Sequence, residues 1–170
     1  MTSKIDIDFK LDDKEIKQAI DELGKQISVK VGILGSDGSN QVKNDDDELG
    51  KITMATLGAI HEFGSPKVNI PARSFIRMPL ETKFKQELSR NKGFKQALSE
   101  LDIAKLNNEA GLTATVVIND AFASGGFGQW APLKPKTVKK KTKNGKKGDS
   151  ILIDTGDLRR SISYEVMNDQ

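Results

Sequence analysis

The chain holds a single histidine, His61, followed directly by Glu62. A His-Glu pair on a helix opens the zincin pattern, in which a second histidine one turn later completes a zinc site and the glutamate activates water. Ser65 stands in that second position, so zinc hydrolysis is rejected. A Ser-His-Asp triad would need the same His61, and a lone histidine near a helix end is more often packed or interfacial than catalytic. Cysteine is absent, which removes disulfides, thiolate metal sites, iron–sulfur clusters and cysteine nucleophiles. No Walker-type phosphate loop occurs, and Gly125-Gly126-Phe127-Gly128 lacks the strand–helix setting of a dinucleotide loop. The acidic run Asp45-Asp46-Asp47-Glu48 lacks the spacing and glycine of a calcium loop. Carboxylates are plentiful, yet none is paired inside an apolar pattern that would shift its pKa. The expectation is a protein that is not an enzyme and carries no metal or cofactor.

Charge is the more informative signal. The 170 residues include 27 Lys and Arg against 24 Asp and Glu, a net of +3. Eight of those 27 basic residues are lysines between 134 and 147, a stretch without acid. The remainder holds 19 basic and 24 acidic residues, a net of −5. A mildly acidic body therefore carries one basic segment, including Lys139, Lys140, Lys141, Lys143, Lys146 and Lys147. The segment has no arginine and no aromatic residue, which argues against sequence-specific nucleic-acid readout. It reads as a solvated loop able to meet phosphate or an acidic partner. Because like charges repel, residues 36–51 and 134–149 are expected to be mobile loops. No apolar run approaches the ~18 residues of a membrane span, and the N-terminus has no apolar core of a secretory signal.

The elements around these segments follow from periodicity. Ile5, Ile7, Phe9 and Leu11 alternate with polar residues, which predicts a strand over 5–11. Ile16, Ala19, Ile20 and Leu23 share a helical face that Gly24 ends. Ile27, Val29, Val31 and Ile33 predict a strand over 27–34, and 52–63 reads as a helix stopped by Gly64. Ser74 is placed to cap the next helix, whose stripe is Ile76, Leu80, Phe84 and Leu88. A further stripe runs from Phe94 to Leu101. Residues 111–123 fit helix or strand, with helix favoured by length and alanines. Ile162, Tyr164 and Val166 alternate as a closing strand. The sum is one domain over 1–170, α+β, with a small, mostly antiparallel sheet of three to four strands and helices packed on one face.

Four segments stand in a fixed order: Ala59-Ile60-His61-Glu62-Phe63-Gly64, Ile70-Pro71-Ala72-Arg73-Ser74-Phe75, Trp130-Ala131-Pro132-Leu133, and, after the lysines, Leu152-Ile153-Asp154-Thr155-Gly156-Asp157-Leu158-Arg159-Arg160-Ser161-Ile162. In that order and spacing the chain resembles the virion morphogenesis, or tail-completion, family of tailed bacteriophages. The resemblance covers roughly half the chain, in its middle and C-terminal parts. It implies a non-enzymatic neck protein at the head–tail junction, made in the host cytoplasm and incorporated in the virion. The implied partners are further copies in a ring, hexamer or dodecamer, the portal or adaptor ring, and the tail terminator or tail tube. DNA would pass through the lumen without sequence-specific contact, and no membrane is involved. Two alternatives remain: a minor capsid or tail-tube-end component, and a non-specific nucleic-acid-binding accessory protein.

Interface candidates within these segments are His61, Glu62, Phe63, Arg73, Trp130, Arg159 and Arg160. Arg73 could fork onto carboxylates or carbonyls of a neighbouring subunit, or form a salt bridge within its own chain. Trp130 suits a core anchor or an interface hot spot. A 170-residue body has a diameter of about 40 Å, and six in a circle leave a bore of about 40 Å, wide enough for duplex DNA.

Overall fold

The computed structural model describes residues 28–42 and 52–167. Strand β1, Val29–Ile33, pairs antiparallel with β2, Ile162–Val166, in the register Val29↔Val166, Val31↔Tyr164 and Ile33↔Ile162. These apolar positions share one face because side chains alternate along a strand. Between the strands lie α1 (Gly35–Ser39), α2 (Met54–Phe63) and α3, which runs through Arg77–Pro79, a π-helical turn at Leu80–Phe84, and Lys85–Arg90. They are followed by α4 (Lys92–Glu100), α5 (Ile103–Ser124), α6 (Pro135–Lys143) and α7 (Asp157–Arg160). The fold is thus mixed helix and strand. Among the described residues the sheet has two strands, short of the three to four expected. The expected strand over 5–11 and the helix after it lie outside the described residues, as does 43–51 of the expected 36–51 loop.

Helix α5 is the spine. The Asp102 side chain accepts from Lys105 N at 2.9 Å to open it, and Gly125 closes it in the left-handed conformation. Its 22 residues span about 33 Å. Leu106, Ala110, Ala114, Val117, Ile118, Ala121 and Phe122 recur at three- and four-residue spacing and are all buried. That burial overrides the strand preference of Val116-Val117-Ile118, whose branched side chains cost a helix only a few tenths of a kcal/mol each. Phe122 stacks at a tilt on Phe75 of the segment before α3, ring centres 5.3 Å apart, and meets Trp130 edge-on at 5.8 Å. Met54, Leu158 and Ile162 complete this core.

Helix α5 crosses the sheet at Gly111. A Cβ there would lie 2.1 Å from Cδ2 of Tyr164, whose hydroxyl donates to Asn108 Oδ1 at 2.6 Å. Alanine in an open helical site would gain about 1 kcal/mol over glycine, but here the tyrosine ring must move out. Gly111→Ala is therefore expected to destabilise by about 1–3 kcal/mol, lowering Tm by about 2–4 °C per kcal/mol. A thermal melt at or above the wild-type value contradicts this close packing.

The lysine-rich stretch differs from the expectation. A loop was expected over 134–149, and α6 forms over Pro135–Lys143 instead. Pro135 sits at the first helical turn, where its missing N–H costs nothing, and Lys140, Lys141 and Lys143 fall in the last turn, where cations suit the helix dipole. Lys141 is buried and donates to Ser150 O at 2.5 Å and Ile153 O at 2.6 Å. One lysine thus ties the helix to the loop that follows it. Desolvation lowers the Lys141 pKa below its usual 10.5, with the nearby Asp154 carboxylate opposing that shift.

Candidate functional site

The first three ordered segments converge on one cluster around the start of α3. Glu62, buried at the end of α2, places its carboxylate at that start. Oε1 accepts from Ser74 Oγ at 2.6 Å and Arg77 N at 3.1 Å. Oε2 accepts from Phe75 N at 2.8 Å and Ile76 N at 3.0 Å. The opening N–H groups of a helix have no partner within the helix and carry partial positive charge, so a carboxylate is a strong cap. Ser74 adds its own cap, its Oγ accepting from Met78 N at 2.9 Å.

Arg73 is buried beside this cap. Its Nε donates to Ala131 O at 2.9 Å and its Nη2 to Pro132 O at 3.2 Å. Its backbone N donates to His61 O at 2.7 Å. Trp130, also buried, donates from Nε1 to Ser74 O at 3.0 Å. The segments 59–64, 70–75 and 130–133 are therefore pinned to one another by named bonds. A planar guanidinium forking onto two carbonyls fixes the 131–132 backbone in a way a lysine could not.

Between them the chain makes a tight excursion. Gly64 has φ of +76°, and a Cβ on it would lie 2.7 Å from Ala72 N. Ser65 and Ile70 exchange backbone bonds at 2.8 and 3.0 Å around a 3-10 turn at Pro66–Val68. Phe63 and Val68 point outward here, 70% and 64% exposed. Phe63 is the most exposed large apolar side chain among the described residues. Lys134, just before α6, donates to Asn69 O at 3.1 Å and holds the turn against the lysine helix.

His61 is partly buried, and its Nδ1 has no hydrogen-bond partner among the described residues. Burial, and secondarily the Arg73 guanidinium, push its pKa below 6.5. The unfolded chain then takes up a proton near pH 6.5 while the folded one resists, so the unfolded state binds more protons in that window. Stability is complete above pH 6.5 and declines as pH falls toward the depressed folded value, by at most about 1.4 kcal/mol per pH unit for one proton. His61→Phe is expected to flatten the decline between pH 7.5 and 5.5 in denaturant titrations. Parallel pH profiles for the two proteins contradict a neutral, buried imidazole.

Among the described residues the fourth segment shares no side-chain hydrogen bond with this cluster but packs into the same core, through Leu158 and Ile162 beside Phe75 and Trp130. Gly156 adopts φ of +86°, Leu158 enters the core, and Arg159 Nε donates to Asn119 Oδ1 on α5 at 2.7 Å. Arg160 is exposed and pairs with Asp157 one turn back. Both arginines line a shallow cleft of about 530 Å³ with Asn119 and Thr155. Lys146 pairs with Asp154 at 2.5 Å and Lys147 with Asp149 at 3.8 Å. Exposed pairs of this kind stabilise little. Lys139, Lys140 and Lys143 lie on the exposed side of α6.

Of the sequence candidates, Glu62, Arg73 and Trp130 are thus engaged inside the chain, His61 is partly covered, and Phe63 and Arg160 face outward. Val68 was not among the candidates. Its signal was the turn between Pro66 and Pro71, which holds an apolar side chain away from both helices. No group of three His, Cys, Asp or Glu able to hold a metal ion occurs among the described residues, and no helix among them is long and apolar enough to cross a membrane. Compared with protein-family models, with curated proteins and with solved structures, the chain matches none.

Proposed function

We propose that the chain is a structural subunit of a tailed-phage virion. In this reading it is a tail-completion or head–tail joining protein that forms a ring between the portal or adaptor complex and the tail. It acts through surface contact rather than catalysis. The observation that carries the reading is the mounting of Phe63. The neighbouring residues of its segment are fixed by the Glu62 cap and the Arg73 and Trp130 bonds, while Phe63 itself faces solvent, as does Val68 of the turn that follows. An exposed aromatic side chain on a rigid base is a low-entropy anchor for a protein contact. A head-to-tail contact that closes makes a ring. The same reading carries a larger sheet of three to four strands.

The test is complementation of particle assembly with Phe63→Glu and Phe63→Leu. Both substitutions lie on the surface and are expected to leave the thermal melt unchanged. Leu retains head–tail joining and Glu abolishes it. Normal joining by a folded Phe63→Glu protein removes this turn from the contact.

A further inference from the structure

The lysines of α6 divide into two faces. Val138 and Lys141 turn inward, where Lys141 is held by the Ser150 and Ile153 carbonyls. Lys136, Lys139 and Lys143, at i, i+3 and i+7, share the opposite side and are exposed. None of these three makes an ion pair among the described residues, whereas Lys146 and Lys147 are each matched by an aspartate. The ridge contains no apolar or aromatic side chain and no arginine.

We propose that this ridge binds the phosphate backbone of duplex DNA, without reading its sequence. Lysine is depleted in protein–protein interfaces, where an ammonium loses hydration without filling a pocket. It is well suited to phosphate as a point charge. The three lysines span about 10 Å along the helix, and one DNA strand offers a phosphate every ~3.4 Å of axis, so about three phosphates face the ridge. Because Lys141 anchors the helix, the ridge is already formed before DNA arrives, and its lysines lose only side-chain freedom on binding. The proposal does not depend on the neck reading, since the ridge and the Phe63 turn are separate surfaces with different chemistry.

Fluorescence anisotropy of a labelled mixed-sequence duplex with the full-length chain, between about 50 and 200 mM NaCl, tests it. Affinity is expected to fall linearly on a log–log salt plot and to be the same for an unrelated sequence. Lys136→Ala/Lys139→Ala/Lys143→Ala is expected to make that slope shallower by about 2.7, at 0.9 per phosphate contact. Its melt should match wild type because all three side chains are exposed. Phe63→Ala keeps the wild-type slope while losing assembly, which separates failure of this proposal from failure of the neck reading. A triple variant with the wild-type slope overturns the proposal. So does an absence of salt-dependent binding, or displacement of the duplex by poly-glutamate as readily as by unlabelled DNA, which would assign the ridge to an acidic protein.

Discussion

Replacing Glu62 with alanine is expected to cost about 3–5 kcal/mol, a large share of a domain's 5–15 kcal/mol margin. The side chain is buried and accepts four hydrogen bonds, three of them from the first N–H groups of the α3 start. Alanine leaves those donors without a partner in a place water reaches poorly, so the cost is a desolvation penalty rather than the modest net value of a surface bond. At about 2–4 °C per kcal/mol for a chain of this size, the melt should fall by roughly 6–20 °C. Glu62→Gln tests the mechanism more narrowly. It keeps the shape but replaces one acceptor oxygen with an NH2 that faces N–H donors, so part of the loss should remain. A Gln variant as stable as wild type would mean that shape, not the charged acceptor, holds α3 in place.

Trp130→Ala is expected to cost about 3–5 kcal/mol as well, by a different route. The indole is buried, meets Phe122 edge-on, and fills the space beside Gly126, where a Cβ would lie 2.3 Å from it. Truncation opens a cavity between α5 and the 124–133 segment and frees the Ser74 carbonyl that Nε1 now satisfies. Trp130→Phe keeps most of the apolar contact and loses the bond, so about 1–2 kcal/mol is expected from it. Chemical denaturation of both variants separates packing from the hydrogen bond. Equal losses for Phe and Ala would place the whole effect in the bond to Ser74.

Both residues show what the sequence could and could not convey. Periodicity located β1, β2 and α2 to within two residues, because a strand or helix repeats its apolar positions wherever it packs. Ser74 was legible as a cap because its hydroxyl acts on its own helix. Glu62 was not, because its four partners lie twelve to fifteen residues further on. Nothing local distinguishes a carboxylate facing a helix start from one facing solvent. Arg73 likewise reads as a fork onto a neighbouring subunit or as an intrachain salt bridge, whereas its partners are the Ala131 and Pro132 carbonyls of its own chain, 58 and 59 residues away. The lysine stretch misled for a related reason. Counting like charges predicts mutual repulsion and a loop, but Lys141 escapes that count by reaching two carbonyls nine and twelve residues away. Pro135 at the head of the run and the good helix propensity of lysine were the local signals of α6.

The contrast between the two outward surfaces follows from the same bonds. The cap on α3 and the Arg73 fork hold the base of the Phe63 turn, and Lys134 links that turn to the start of the lysine helix. The turn that carries Val68 is thus tied through Lys134 to the start of α6, the helix whose outer face carries Lys136, Lys139 and Lys143.

Electron microscopy of particles assembled with and without this protein addresses the proposed joining role most directly. The account predicts that omission leaves filled heads and finished tails side by side and unattached, and that adding the purified chain back joins them. Intact virions formed at normal yield in its absence would contradict it.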